Sequence, residues 1–190
     1  MSEVDQALGE RVRPLHVAEY EALVKMGAFL DERVELVRGR LITMAPQGPE
    51  HAWTIETMNT LLVRAFGHRA SLRPQLPVRA SDDSMPEPDF TLVERRDAPG
   101  PHPARALLVI EVSDSSLRFD RLIKGPLYAE GSTPEYWLVN LVDGELEVFR
   151  KPVNGKWTEH FVLGREDVIR PVSFPDIEFP LKPFLLAKAH

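Results

Sequence analysis

Two carboxylates carry the first chemical signal in this chain of 190 residues. Glu111 closes the run Ala106-Leu107-Leu108-Val109-Ile110, and a charge at the tip of an apolar strand is expensive to bury unpaired. Asp89 follows Pro88 at the start of a second strand-like run, Phe90 to Val93. Taken alone, each reads as a strand-end carboxylate meeting solvent. Side by side on neighbouring strands they would repel, and a divalent cation relieves such repulsion; hard cations take carboxylate, carbonyl and water oxygens, usually with only one or two carboxylates. The backbone carbonyl of Val112 is a natural further ligand. Alternation places Glu111 on the face of Leu107 and Val109, so its partner must come from that face or from the strand end.

Lys124 lies on the helix expected after that strand and could aim its ammonium at the strand tip, orienting a water or stabilising charge on a phosphate. A solvated helix face, or an ordinary salt bridge to Asp120 four positions earlier, explains the same lysine. Three more residues are ambiguous by themselves. Glu35 sits inside the apolar segment Val34-Glu35-Leu36-Val37, His51 opens a helix where it could be a cap or a packing residue, and Gln75 could face a cleft or decorate an edge strand. No G-x-x-x-x-G-K-[ST], G-x-G-x-x-G after a strand, H-E-x-x-H or G-x-S-x-G pattern occurs, which leaves P-loop, dinucleotide, zincin and α/β-hydrolase chemistry without residues. Metal-assisted phosphodiester chemistry survives that filter.

The elements that must position these groups follow from periodicity. Residues 1–15 read as a flexible arm and 16–190 as a single domain. His16 to Met26 has helical spacing with Gly27 as a stop, and Val34–Val37 with Leu41–Met44 flanks Arg38-Gly39-Arg40 as a hairpin. Ile55, Met58, Leu61, Leu62, Ala65 and Phe66 share one side of the strongest helix, capped by Gly67. Short strands are expected at Leu72–Val78, Phe90–Val93 and Ala106–Val112, the last apolar on both faces and therefore central. A helix capped by Ser115 or Ser116 runs through Leu117, Leu122, Ile123, Leu127 and Tyr128, but Gly125-Pro126 predicts a kink or break within it. Glu135–Leu141, Leu146–Phe149 and Trp157–Leu163 form a meander around Asp143-Gly144, and Pro171 to Pro183 reads as extended chain wrapping the sheet.

Composition bounds the class. With 23 Lys and Arg against 29 Asp and Glu the chain is mildly acidic, at −6, which disfavours a general nucleic-acid coat without excluding a local basic groove. Arg64, Arg69, Arg73, Arg118 and Arg121 are candidates for such contacts, or plain surface charges. The absence of cysteine removes disulfide frameworks, zinc fingers, iron–sulfur clusters and thiol nucleophiles. A chain this long buries roughly 70% of its extended surface and needs no such staple. No apolar run reaches the roughly 20 residues of a membrane span, and the polar N-terminus lacks the layout of a signal peptide, so a cytoplasmic location is expected.

In order along the chain, Val34-Glu35-Leu36-Val37-Arg38-Gly39, Met44 to Pro49 with His51, Glu87-Pro88-Asp89, Val109-Ile110-Glu111-Val112-Ser113, then Asp120, Lys124 and Tyr128, and Glu135-Tyr136-Trp137-Leu138-Val139 resemble the Uma-two family. That family is a group of putative restriction endonucleases in the PD-(D/E)XK nuclease superfamily, and the resemblance covers roughly residues 16–184. It implies an α/β (α+β) fold with a restriction-endonuclease-like core, a mixed β-sheet flanked by helices, an extra N-terminal helix and hairpin, and a C-terminal β meander. It further implies Asp89 and Glu111 as metal-binding pair, Glu35 as the additional acid, Lys124 in place of a lysine missing at Ser113, and His51, Gln75 and Tyr128 as supporting positions.

The leading expectation is therefore an endonuclease that uses one or two Mg²⁺ or Mn²⁺ ions to hydrolyse DNA, with Asp89, Glu111 and the Val112 carbonyl on the metal. A homodimer is expected because two-fold dimers are the commonest oligomers. The alternative is a degenerate nuclease-fold module that binds nucleic acid or a protein partner without cutting, which a break at Gly125-Pro126 would favour by swinging Lys124 out of the cleft. A third reading is a dimeric structural subunit that uses the Leu146 to Leu163 meander as its interface.

Overall fold

The computed structural model describes residues 13–187. Of the arm expected over residues 1–15, residues 1–12 lie outside that range, while Leu15 donates its N–H to the Gly39 carbonyl at 3.0 Å. Helix α1, Val17–Lys25, leads into a hairpin of β1, Val34–Val37, and β2, Arg40–Thr43. Its two turn residues both take positive φ, 53° at Arg38 and 70° at Gly39, the signature of a tight hairpin turn. Gly39 is obligatory for a second reason: a Cβ there would lie 2.1 Å from the Cβ of Pro14. Val17, Tyr20, Val34, Leu36 and Met85 form a small satellite core beneath this unit.

Helix α2, Pro49–Phe66, starts with proline in its first turn, where the missing N–H costs nothing. It buries Met58, Leu62 and Phe66 on one side of a six-stranded sheet. The strands are β3, Ser71–Pro74; β4, Phe90–Val93; β5, Leu108–Ser113; β6, Glu135–Asn140; β7, Glu145–Val153; and β8, Lys156–Leu163. Spatial order follows sequence order, and every neighbouring pair is antiparallel except β5 and β6, which are parallel and joined by a helical crossover.

Both faces of β5 and β6 are covered, and every residue of these strands is buried. Leu108, Ile110 and Val112 point to the α2 side, where Phe174, Phe179 and Phe184 from the C-terminal segment complete the main core. Val109, Tyr136 and Leu138 point to the other side, against Tyr128 of the crossover. Each such aliphatic or aromatic side chain contributes about 1.5–3 kcal/mol by leaving water. Among the described residues no helix is long and apolar enough to cross a membrane.

Four local expectations need correction. The strand expected over 72–78 ends at Pro74 because Gln75 turns into the left-handed region at φ 48°. The central strand begins at Leu108, and Leu107 packs towards the α2 side rather than sharing the face of Glu111. The segment after Pro171 is mostly turns, with a short pairing of β9, Val168–Ile169, and β10, Phe179–Pro180. Most important for the site, the crossover does not break at Gly125-Pro126. It runs as α3, Leu117–Phe119, a π turn, Asp120–Lys124, and α4, Gly125–Glu130. The Gly125 N–H reaches back five residues to the Asp120 carbonyl, and Pro126 occupies the first turn of α4. The widened turn accommodates a proline that an unbroken α-helix would reject. Leu122 and Ile123, through which the helix is expected to run, are 56% and 39% exposed.

Candidate active site

Five segments converge on one cleft of about 350 Å³, whose walls include Glu35, His51, Asp89, Glu111, Asp120 and Lys124. Glu35 comes from β1, His51 from the first turn of α2, Asp89 from the residue before β4, Glu111 from β5, and Asp120 with Lys124 from the π turn. The Met44 to Gly48 segment also lines it. Strand pairing explains the central contact: Phe90 is in register with Ile110, so Asp89 and Glu111 fall on adjacent strands at the same level.

Lys124 is the hub. The residue is 5% exposed, and its ammonium lies 3.0 Å from Glu35 Oε1, 3.1 Å from Glu111 Oε1 and 3.9 Å from Asp120 Oδ1. Burial alone would lower its pKa, but Glu111, Glu35 and Asp120 together hold it above the ordinary lysine value. Glu111 also accepts a 2.6 Å hydrogen bond from the Tyr128 hydroxyl and a long one, 3.4 Å, from the Asp89 N–H. Burial pushes the Glu111 carboxyl up from 4.5 to about 8 even though Lys124 opposes the shift; Asp120, Asp89 and Glu35 add to it. Tyr128, buried against the same carboxylates, is raised well above the ordinary tyrosine value.

Asp89 is fixed by the Val112 N–H, which donates to Oδ2 at 2.8 Å, and more loosely by Gln75 Nε2, at 3.4 Å from Oδ1. His51 Nε2 stands 3.5 Å from Asp89 Oδ2, while its Nδ1 is buried with no protein partner. Burial lowers the imidazole's pKa, but Asp89 and the Val112 main chain outweigh it and the net direction is upward. Glu35 accepts the Glu87 N–H at 3.0 Å. Asp120 accepts both the Ser113 and Ser116 hydroxyls at 2.6 Å, so Ser116 braces the π turn through this carboxylate and makes no side-chain cap bond.

The fold thus brings the acidic, lysine and supporting positions singled out from sequence together, at two depths. Glu35, His51, Asp89, Glu111, Val112 and Lys124 face the cleft, whereas Tyr128 stands behind Glu111 and Gln75 touches Asp89 from the side without lining the cleft. Asp120 belongs to the site more firmly than its spacing from Lys124 alone indicated. Its link to Ser113 joins strand to helix across seven positions, for which no local pattern gives a signal. Among the arginines considered for phosphate contacts, Arg69 is committed to Asp176 and lies over the Phe174 ring, and Arg121 is committed to Glu147. Arg64 and Arg118 are exposed.

The donor set suits a hard cation. Among the described residues no three His, Asp or Glu groups are grouped so as to chelate an ion unaided. An ion here would rest on two carboxylates, a main-chain carbonyl and water, the usual arrangement for magnesium. The charges of Asp120, Asp89 and Glu35, which add to the upward push that burial gives Glu111, are what such a cation would relieve.

The model of the Uma2 family, described as putative restriction endonuclease, matches residues 17–182. A solved structure of a putative nuclease belonging to DUF820 from Anabaena variabilis ATCC 29413 superimposes with a TM-score of 0.72 at 16% sequence identity, covering 90% of this chain and 98% of that one. At that identity the likeness speaks for the fold, a nuclease-like mixed sheet flanked by helices. No curated protein matches the chain.

Proposed function

This chain belongs to the Uma2 family of putative restriction endonucleases, and from that premise we propose that its cleft hydrolyses phosphodiester bonds of DNA with a bound Mg²⁺ or Mn²⁺. The observation that carries the reading is the meeting of Asp89, Glu111 and Glu35 with the Lys124 ammonium in one cleft. Asp89, Glu111 and the Val112 carbonyl would hold the cation. When bound, it would polarise a phosphate and make water more acidic.

The protein's own residues supply the rest. Glu111, Glu35 and Asp120 hold the Lys124 pKa above the ordinary lysine value, so in this reading Lys124 serves as a positive charge facing developing phosphate negativity and not as a base. Glu35 holds that ammonium from below and, in turn, is oriented by the Glu87 N–H. Tyr128 anchors Glu111 by its hydroxyl and is a positioning residue. His51 engages Asp89 and the Val112 main chain, so an ion and the imidazole would compete for the same oxygens. A module that binds without cutting would fit a displaced Lys124 better than the buried one found here.

The test is cleavage of single-stranded and duplex DNA, with RNA alongside, by wild type and Asp89→Ala in Mn²⁺ or Mg²⁺, with circular dichroism confirming that the variant folds. Metal-dependent cutting by wild type alone is expected; equal cutting by both proteins removes the reading. The polymer is DNA in this proposal, and a two-fold dimer would pair two clefts for a double-strand cut. Sedimentation equilibrium giving a strictly monomeric mass would count against the pairing.

A further inference from the structure

A second cavity, of about 250 Å³, opens beside β3 and the end of β4, with Ser71, Arg73, Val93, Arg96, Gly100 and Pro103 in its lining. Two arginines face this space and no carboxylate lines it among the described residues. Their hydrogen-bond partners are neutral. Arg73 gives one N–H to the Pro77 carbonyl at 3.3 Å and stands 3.3 Å from His102 Nδ1, while Arg96 gives one to the Pro101 carbonyl at 2.6 Å. The Arg73 Nε is buried with no hydrogen-bond partner in the protein.

This arrangement differs from the committed pairs of Arg69 with Asp176 and Arg121 with Glu147, where each guanidinium already has its anion. Burial and then the charge of Arg96 both push Arg73 below the ordinary arginine value, so the charge is held against its surroundings. Arg73, whose Nε–H has no acceptor in the protein, and Arg96 line one cavity, and a guanidinium can give a tetrahedral oxyanion two parallel N–H bonds. On a chain with a net charge of −6, a cavity of this sign is a local exception.

Its position relates it to the cleft. Arg73 pairs with Thr91 across β3 and β4, and the pairing continues to the bond from the Gln75 N–H to the Asp89 carbonyl. Arg73 is therefore two residues along the chain from Gln75, which touches Asp89, a reach of at most about 7 Å. A nucleic-acid strand rising roughly 3.4 Å per nucleotide covers that in about two nucleotides. We propose that the Arg73–Arg96 cavity binds a phosphate group, supplied by the backbone of the strand lying in the cleft; the source, though not the site, rests on the nuclease reading above.

Two measurements separate the site from its source. In protein labelled with ¹⁵N at arginine Nε, inorganic phosphate is titrated against chloride at matched ionic strength. The Arg73 Nε–H signal, assigned by its loss in Arg73→Lys, should shift and saturate with phosphate, and the response should be lost in Arg96→Gln, an exposed position remote from the fold's core. A chloride-like response overturns the site. The second measurement is fluorescence anisotropy of a labelled twelve-nucleotide DNA without divalent ions, in wild type and Arg96→Gln. Binding five- to tenfold weaker in the variant is expected, with the slope of log K against log salt reduced by about 1. Equal affinity and slope overturn the backbone source. Wild type that binds no DNA, yet still shows the phosphate shift, overturns the backbone source and assigns the cavity to free phosphate, while the metal-dependent cleavage assay decides the nuclease reading separately.

Discussion

Replacing Glu111 by Gln should abolish a pH dependence of stability that the wild-type cleft builds in. The wild-type carboxyl, displaced from 4.5 to about 8 by burial, retains its proton in the folded state after the unfolded chain has lost it. For an acid raised in this way, the stabilisation is complete below the unfolded value and is lost as pH climbs through the folded one. Each pH unit between those limits costs about 1.4 kcal/mol, so the loss from pH 5 to pH 8 is on the order of 4 kcal/mol. Glutamine copies the neutral acid: its carbonyl still accepts from Tyr128 and Lys124 while it cannot ionise. Urea unfolding in EDTA, followed by fluorescence with buried Trp137 as a reporter, gives the difference between the two proteins at each pH. With an m-value of about 2 kcal/mol/M, the midpoint of wild type should fall relative to the variant by about 2 M across the range. Parallel curves, with a difference constant to within ~1 kcal/mol, would refute the buried-acid account. Replacing EDTA with Mn²⁺ at pH 8 should stabilise wild type by about 2.7 kcal/mol at a concentration one hundred times Kd, and leave Glu111→Gln nearly unmoved.

Three further outcomes follow from the same contacts. Lys124→Met removes the ammonium from Glu35 and Glu111, and should cost about 3–5 kcal/mol at pH 9 in urea melts, less at pH 5 where Glu111 carries its own proton. Gly125→Val crowds a site where even a Cβ would stand 3.3 Å from both the Asp120 carbonyl and Tyr136; a loss of about 1–3 kcal/mol is expected, with cleavage falling further than Gly125→Ala brings it. Glu130→Gln breaks an exposed 2.6 Å pair with Arg38 and should change stability by no more than about 1 kcal/mol, an effect that 1 M salt erases.

The parts of the fold that were legible in sequence are those whose signal is local and repeated. Met58, Leu62 and Phe66 recur at helical spacing and are buried, and the doubly apolar run around Val109 and Ile110 is a central strand covered on both sides. What failed were positions where the main chain departs from regular geometry. Gln75 takes a left-handed conformation that its residue type does not announce, and so ends β3 earlier than hydrophobicity predicts. Asp89 and Glu111 could be paired from strand-end placement, but the approach of Glu35 is set by how the hairpin docks, with Leu36 bridging to Met85, which no spacing rule encodes. The Arg73–Arg96 cavity is illegible for the same reason: its two arginines come from an edge strand and a loop, and only the absence of any lining carboxylate distinguishes them from surface charges.

Gly125-Pro126 is the clearest case of a sequence signal read with the wrong consequence. In an α-helix each four-residue step carries a side chain about 40° past its predecessor, so Asp120, Lys124 and Tyr128 would drift by about 80° over two steps. A π turn, with roughly 4.4 residues per turn, moves four residues about 30° the other way. Placing the π turn between Asp120 and Lys124 and an α turn between Lys124 and Tyr128 nearly cancels the drift. All three polar groups then point at one strand tip, with Lys124 and Tyr128 on the same Glu111 oxygen at 3.1 and 2.6 Å and Asp120 tied to Ser113 two residues on. Pro126 helps to enforce this register, since it has no N–H to return to Leu122 and its ring resists the tighter turn. The residue pair that argues for a broken helix is, on this geometry, what keeps the lysine in the cleft.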